Sequence, residues 1–504
     1  MKNRTNMKKQ YIAIVALWFI VGVVAAQNER DAFRYAQYSP TGTARYTSLS
    51  GSIGAFGADF TALSANNPAG LGLFKRSEIA LTLAVPYTYI TSNYNGTAYT
   101  DLKNDLLKCN NFGLVFASNK SFGNWQKIQF ATGYNNLARY GGKSIAMGFN
   151  ENEMGVRTSF FDYVAESSYG TRSSSLQGIA NMAFNYYLID PVSGKDDQYV
   201  SAVNDYFEQQ QIKTSSGYLN EWVFSFGGNY DDKLFLGATL GIPFFHYNEK
   251  TTYTEYTESY DARYEYLSIY DEFKSEATGI NLKLGFIYQP VKFVRLGLAF
   301  HTPTTYLNVK ERRGENGYEI YGVYQPSDSL YYDVWERNPS GKYDDYQLTT
   351  PYRAIANAAF IINKYGFVNI DYEFTDYSTS NLQSNRYSFI EERRNIKLYY
   401  RETHTVRVGG EVNLSPLALR LGGTYTTNPY KNLVAKDGSK KDGSSFAICG
   451  GIGLKGKSFF VDFAYMYRFT QDKDVFYDAA SLSPYSSKIV NQVFALTLGF
   501  KMGK

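Results

Sequence analysis

From Ser77 to the end of the chain, apolar residues recur at every second position in short segments, the period that sets one row of side chains on each face of a strand. In the segment Gly279 to Tyr288, Ile280, Leu282, Leu284, Phe286 and Tyr288 share one face, while Gly279, Asn281, Lys283 and Gly285 share the other. The next segment repeats the pattern with Val294, Leu296, Leu298 and Phe300 opposite Arg295, Gly297, Ala299 and His301. The link Gln289-Pro290-Val291-Lys292 makes the two a hairpin. About fourteen such segments can be read, beginning near Ile79, Asn111, Trp125, Leu219, Lys233, Gly279, Phe293, Pro351, Gly366, Lys397, Leu417, Ser445, Ser458 and Lys488. The number is even, as in single-chain bacterial barrels.

The links between segments alternate in length. Those at Asp231-Asp232, Pro290 to Lys292, Asn363 to Tyr365, Asn413 to Pro416 and Gly456-Lys457 are short, and long stretches follow them: Arg139 to Tyr218, Glu249 to Thr278, Thr304 to Thr350 and Tyr377 to Ile396. Brief turns on one rim and long loops on the other describe an outer-membrane barrel with its turns in the periplasm. A soluble sandwich has no reason to sort its loops this way. The last segment ends the same way, with Phe494, Leu496, Leu498 and Phe500 on one face. Within one long loop, Leu176, Ile179, Ala180, Ala183, Phe184, Tyr187 and Leu188 fall at helical spacing and predict a short amphipathic helix outside the barrel.

Composition and the first residues agree with export to a membrane. Lys2, Arg4, Lys8 and Lys9 precede an apolar run from Tyr11 to Val24 and then Ala25-Ala26, the pattern of a secretory leader over residues 1–26, so the mature chain is expected to begin near Gln27. After Ala26 no apolar stretch approaches the ~18 residues of a membrane helix. Tyr 47 and Phe 35 suit strands with aromatic girdles at the two membrane interfaces. A net charge of +4 without a dense basic run after the leader gives nucleic acid no electrostatic footprint. Cys109 and Cys449 are either a pair or two lone thiols; spacing does not decide.

The stretch from Gln27 to Arg76 is too rich in Gly, Ala and Ser to be strands. It contains Gly51-Ser52-Ile53-Gly54-Ala55-Phe56-Gly57-Ala58-Asp59 and then Ala65-Asn66-Asn67-Pro68-Ala69-Gly70-Leu71. Here the chain resembles the FadL/TodX family of outer-membrane transporters for hydrophobic compounds, whose N-terminal plug carries an Asn-Pro-Ala motif just ahead of the first strand. The resemblance continues in Leu284-Gly285-Phe286-Ile287-Tyr288-Gln289-Pro290, in Arg295 to Pro303, in Arg420 to Tyr425 and in Asn428-Pro429-Tyr430. It implies an all-β fold, a fourteen-stranded antiparallel transmembrane barrel over 77–504 with an N-terminal plug, residues 27–76, inside it. It also implies a site in the outer membrane, a small hydrophobic cargo of the long-chain fatty acid or aromatic hydrocarbon type, and no cofactor. Ligand would enter from outside, shift the plug at Asn67, Pro68 and Ala69, and leave sideways into the lipid through a kinked third strand. In this chain that strand runs Trp125 to Arg139, and Gly133, Asn135 and Asn136 are where its regularity is expected to fail.

On the inward parity stand Lys283, Arg295, Asp371, Glu373, Arg407, Glu411, Arg420 and Asp462. Opposite charges inside a barrel neutralise one another and pin a plug, since unpaired ones are costly. The sharper expectation is that Arg295 or Arg407 receives a ligand carboxylate. Asn67-Pro68 could also be a simple turn, and Gly51, Gly54 and Gly57 lack the preceding strand and spacing of a dinucleotide fingerprint. Only His246, His301 and His404 could serve as imidazole bases, and none lies in a nucleophile motif, so an enzyme is not expected. Clustered Cys/His metal spacing is missing too. The alternative to transport is a scaffold or secretion-partner barrel that binds proteins through Tyr-rich loops such as Tyr331-Tyr332-Asp333-Val334-Trp335 and Tyr343 to Tyr346.

Overall fold

A computed structural model describes residues 29–502 apart from 105, 119–122, 152–154, 260, 328, 432–439 and 478–482; the expected leader, residues 1–26, lies outside the described residues. Fourteen antiparallel strands close into one barrel. They are β1 (Ser77–Tyr94), β2 (Lys108–Ala117), β3 (Trp125–Arg139), β4 (Glu208–Tyr230), β5 (Leu234–Tyr256), β6 (Tyr266–Val291) and β7 (Val294–His301), then β8 (Arg353–Ile362), β9 (Gly366–Asp376), β10 (Glu402–Leu414), β11 (Leu417–Thr426), β12 (Ser445–Lys455), β13 (Phe459–Asp474) and β14 (Tyr485–Met502). Closure is made by β1 and β14, laddered from Ser77↔Met502 to Asn93↔Ser486.

The period-2 alternation sorts the wall. On β9, Asn369, Asp371 and Glu373 are buried while Val368, Ile370 and Tyr372 are exposed; on β11, Arg420 is buried between exposed Leu419 and Leu421. A polar inner row and an apolar outer row are what a bilayer demands of a barrel wall. The outer row is continuous around the barrel, for example Phe494, Leu496, Leu498 and Phe500 on β14 beside Leu81 on β1 and Phe463 on β13.

Two expectations are corrected. The segment expected from Lys397 is a helix over Ile390–Tyr399, with Glu391 and Glu392 in its first turn and Lys397 in its last; the strand starts at Glu402. Charges of that polarity complement the helix dipole. The stretches read as loops at Arg139 to Tyr218 and Glu249 to Thr278 also contain strand. β4, β5 and β6 run far beyond the apolar band, pairing Glu208↔Tyr256 and Tyr266↔Tyr256 at their tips. The predicted loop helix forms over Gly178–Asn185 and buries Met182 and Ala183 against neighbouring loop aromatics. Cys109 and Cys449 are both free, the first exposed and the second buried.

Residues 29–74 run through the interior. A helix over Glu29–Arg34 lies towards the long-loop end, where Tyr35 stacks on Phe245 with centroids 3.8 Å apart. The chain then descends: Ala44 N–H donates to Thr497 Oγ1 of β14 at 2.7 Å, Ser52 Oγ–H to the Asn369 carbonyl of β9 at 2.9 Å, and the Leu63 carbonyl accepts from Thr239 Oγ1 of β5 at 3.0 Å. These partners lie around the whole ring of inward-facing side chains.

Candidate functional site

Asn67 begins a 3-10 helix over Pro68–Leu73. Its side-chain oxygen accepts from the Ala69 N–H at 3.0 Å, and proline takes the first helical position, where a missing N–H costs nothing. The same residue is also a wall anchor. Its Nδ2 faces the Phe286 carbonyl at 3.1 Å, the Leu298 carbonyl at 3.3 Å and Asn357 Oδ1 at 3.0 Å, on β6, β7 and β8. Glycines make room for it: a Cβ on Gly285 would lie 2.2 Å from Asn67 Oδ1, and one on Gly237 would lie 2.3 Å from the Pro68 carbonyl. The motif therefore sits in a socket that tolerates no side chain.

Asp371 on β9 ties the rest of the segment to the same wall. Its Oδ2 accepts the N–H of Ile53 at 3.1 Å, that of Gly54 at 3.2 Å and Asn66 Nδ2 at 3.0 Å, while Asn357 and Asn369 donate to Oδ1 at 2.7 and 2.9 Å. Hydrogen bonds to a buried carboxylate are the strong ones, about 1.5–3 kcal/mol each. His301 Nε2 donates to the Asn66 carbonyl at 2.9 Å, since a carbonyl can only accept. Most of the remaining inward charges are paired. Lys283 meets Glu221, Arg420 meets Glu411 and Asp462 at 2.6 Å each, and Glu411 also takes Lys455 at 2.6 Å and Arg45 of the N-terminal segment at 3.2 Å. Arg295 donates to the Phe56 carbonyl and to Gln289 Oε1, both at 2.9 Å.

The wall differs between β1 and β4. β2 ladders with β3 only from Asn111↔Asn135 to Ala117↔Gln129, and above that level β1 pairs instead with a strand over Thr97–Asn104. β3 follows β4, with a register shift between Asn136 and Ala138, and the chain continues as a strand over Gly142–Phe149 that pairs with the upper part of β4. Among the described residues no backbone ladder joins Thr97–Asn104 to Gly142–Phe149. The seam is bridged by side chains: Arg139 Nη2 to Asn110 Oδ1 at 3.2 Å, Lys103 Nζ to the Ser215 carbonyl at 2.5 Å, and Lys143 with Asp101 at 4.0 Å. Its lower end lies at the level of Thr82 and Leu83 on β1, which face Thr497 and Leu496 within the apolar band. Leu106 and Leu107 stand beside it 84% and 60% exposed.

The N-terminal segment lies against the lower end of the seam from inside. Asn110 Nδ2 donates to the Gly42 carbonyl at 2.6 Å and Asn135 Nδ2 to Ser64 Oγ at 2.7 Å; Asn111 Nδ2 reaches Thr61 Oγ1 at 3.4 Å and bonds Asn135. Just below, the Phe60 ring lies on bare backbone, for a Cβ on Gly113 would fall 2.4 Å from Phe60 Cγ and one on Gly133 2.7 Å from Phe60 Cζ. Gly133 itself is paired on both sides, to Gly113 and Val223.

A third feature is a cavity of about 60 Å³ between Phe33, Tyr38 and Pro40 of the segment and Arg353, Glu373, Arg407 and Arg468 of the wall. That volume has room for about four waters and not for an alkyl chain. Glu373 accepts from Arg353 at 2.5 Å and from Arg407 at 2.8 Å, Arg468 reaches Ser39 Oγ at 3.4 Å, and the Arg353 guanidinium lies 4.3 Å from the Tyr38 ring centroid. Arg407 Nε and Nη1 and Arg353 Nη1 are buried and find no hydrogen-bond partner among the described residues. Of the residues singled out in the sequence, Asn67, Pro68 and Ala69 share one socket, Asn135 and Asn136 line the seam with Gly133 below, Arg407 borders the cavity and Arg295 lies apart near the short turns. Phe60, Asn110, Asn357 and Arg353 were not read from the sequence; the Asn110-Asn111 pair facing Asn135-Asn136 was the signal available for the seam.

No protein-family model and no curated protein match the chain. Solved structures do. A FadL homologue of Pseudomonas aeruginosa is 15% identical with a TM-score of 0.53, and the match covers 93% of this chain and 100% of that one. The toluene transporter TodX of Pseudomonas putida is 11% identical with a TM-score of 0.51, over 93% of this chain and 100% of its own. With its fourteen strands and its full-length overlap, the chain has the fold of the FadL/TodX barrels.

Proposed function

We propose that the protein carries small hydrophobic molecules across the outer membrane, with residues 27–76 as a plug whose displacement uncovers the seam between β2 and β3 as a sideways exit into the lipid. The observation that carries this reading is the cover itself: Gly42 bonds Asn110 at the foot of a stretch of wall that no backbone ladder closes, and Thr61, Ser64 and Phe60 lie on the last laddered pairs just below it. A greasy solute gains nothing from a water-filled lumen, whereas a lateral exit keeps it in apolar surroundings. The lower end of the seam also lies at the depth where the lipid is apolar.

For a cargo with a carboxylate, Arg407 is the receiving group. Its two unpartnered nitrogens border a cavity too small for the cargo until Phe33 and Tyr38 move, so ligand and plug compete for the same space. Binding would thereby draw the segment off the wall. The test is uptake of labelled long-chain fatty acid by cells lacking their own transporter, with the Asn67→Ala, Pro68→Ala double variant as comparison after equal membrane insertion is verified. Uptake that depends on the motif supports the reading; uptake equal in parent, variant and empty cells overturns it. A second reading, a barrel that binds proteins, draws on the hairpin Asn316–Gln325 with Leu330–Asn338, which projects Trp335 at 72% exposure.

A further inference from the structure

The short-turn rim carries a ring of positive charge. Lys75 precedes β1, Lys127 opens β3, Lys292 and Lys364 sit in the β6–β7 and β8–β9 turns, Lys457 lies before β13, and Lys501 ends β14. Against them the same rim has Asp231, Asp232 and Glu78, and Asp231 lies 3.5 Å from Lys233. Lys75, Lys292, Lys364 and Lys457 form no ion pair among the described residues, and Lys127 Nζ donates to the Lys75 carbonyl at 3.3 Å, which leaves its charge uncompensated.

The depth of these cations is fixed by aromatic neighbours. Lys292 precedes exposed Phe293, and Lys457 is two residues from exposed Phe459; Lys364 Nζ lies 5.5 Å from the Tyr365 ring and Lys501 Nζ 5.2 Å from the Phe460 ring. Exposed aromatics at the edge of an apolar band mark the membrane–water interface, so the ammonium groups stand among lipid headgroups. Their spread around the circumference suits many small anions at the barrel's edge better than one acidic protein docked at a single face.

We propose that this rim binds anionic glycerophospholipids, with the phosphodiester headgroups of the turn-side leaflet lying on Lys75, Lys292, Lys364 and Lys457. A cation near a membrane surface favours an anionic headgroup about fivefold, and screening by salt weakens the preference. The full chain, folded in detergent, is incubated with equimolar dioleoyl phosphatidylglycerol and dioleoyl phosphatidylethanolamine, and the lipid retained through gel filtration is counted by mass spectrometry. The expected result is about fivefold enrichment of phosphatidylglycerol, lost at high salt. It is also lost in the fourfold variant Lys75→Gln, Lys292→Gln, Lys364→Gln, Lys457→Gln and kept in the corresponding Lys→Arg variant, with barrel folding followed by heat-modifiable migration. Equal retention of the two lipids by the parent overturns the proposal, as does enrichment that survives the Gln variant of a folded barrel. Tighter binding of a soluble poly-glutamate peptide than of phosphatidylglycerol also overturns it, in favour of an acidic protein partner.

Discussion

The wall formed by β6 to β9 and the wall formed by β2 and β3 hold the same N-terminal segment in opposite ways. At β6 to β9 every strand is laddered to its neighbours, and the segment meets them through Asp371, Asn357 and the glycine socket of Asn67. At β2 and β3 the ladder stops at Asn135, and the segment meets it through neutral side-chain bonds and one ring laid on glycine. Charge-assisted bonds are roughly twice as strong as neutral ones. In the proposed reading one side serves as an anchor and the other as a cover, and a movement that spares the anchor would uncover the seam.

The sharpest way to break this comparison is to fasten the cover. In a Cys109→Ser background, Ser64→Cys and Asn135→Cys place thiols on side chains that now share a 2.7 Å hydrogen bond, within reach of a short reducible bis-methanethiosulfonate. Uptake of hydrophobic cargo is expected to fall to the level of empty cells when the bridge is made and to return on reduction. Unchanged uptake in the bridged protein would separate transport from the seam. The anchor is tested by Asp371→Asn, which removes the charge behind the bonds from Ile53, Gly54 and Asn66. A loss of about 2 kcal/mol corresponds to roughly thirtyfold faster hydrogen exchange at the Ile53 and Gly54 amides, with the barrel strands unaffected.

How much of this was legible follows from which residues face lipid. The fourteen strands could be counted because the bilayer forces alternation on every crossing, as in Ile280 to Tyr288. Beyond the membrane that demand ends: the upper part of β4, Glu208 to Ser216, has polar residues on both faces and reads as loop. The Asn-Pro-Ala motif was visible, but its socket was not, because Gly237, Gly285 and Gly297 look like any strand glycines until the segment lies against them. Nor could Asn135 be matched with Ser64, 71 positions away in the chain. A local pattern announces an element; only the closed barrel brings distant polar pairs together.

The smaller tests sharpen the cover. Gly113→Ala puts a methyl group where the Phe60 ring now lies, at an ideal distance of 2.4 Å from Cγ. The overpacking should cost about 1–3 kcal/mol of segment seating, seen as faster proteolysis of the N-terminal segment. Phe60→Ala empties the site and costs about 3 kcal/mol by itself, but it should make Gly113→Ala nearly neutral, so the two changes are non-additive. Additive losses would place Phe60 away from the β2–β3 wall.

The least effect is expected from Arg139→Ala, which removes the bond to Asn110 Oδ1 across the seam. A part-buried bond of this kind contributes about 1 kcal/mol, and Asn110 keeps its bond to the Gly42 carbonyl. Basal leakage of a small hydrophobic dye should therefore rise by about fivefold at most, whereas the same change combined with Asn110→Ala, which also releases Gly42, should exceed the sum of the single effects. That ordering follows from a seam closed by two layers, side chains within the wall and the N-terminal segment behind them, where the inner layer bears the larger share. If Arg139→Ala alone opened the barrel as widely as the double change, the wall bridges and not the segment would be the cover, and the contrast with the anchored side would lose its functional meaning.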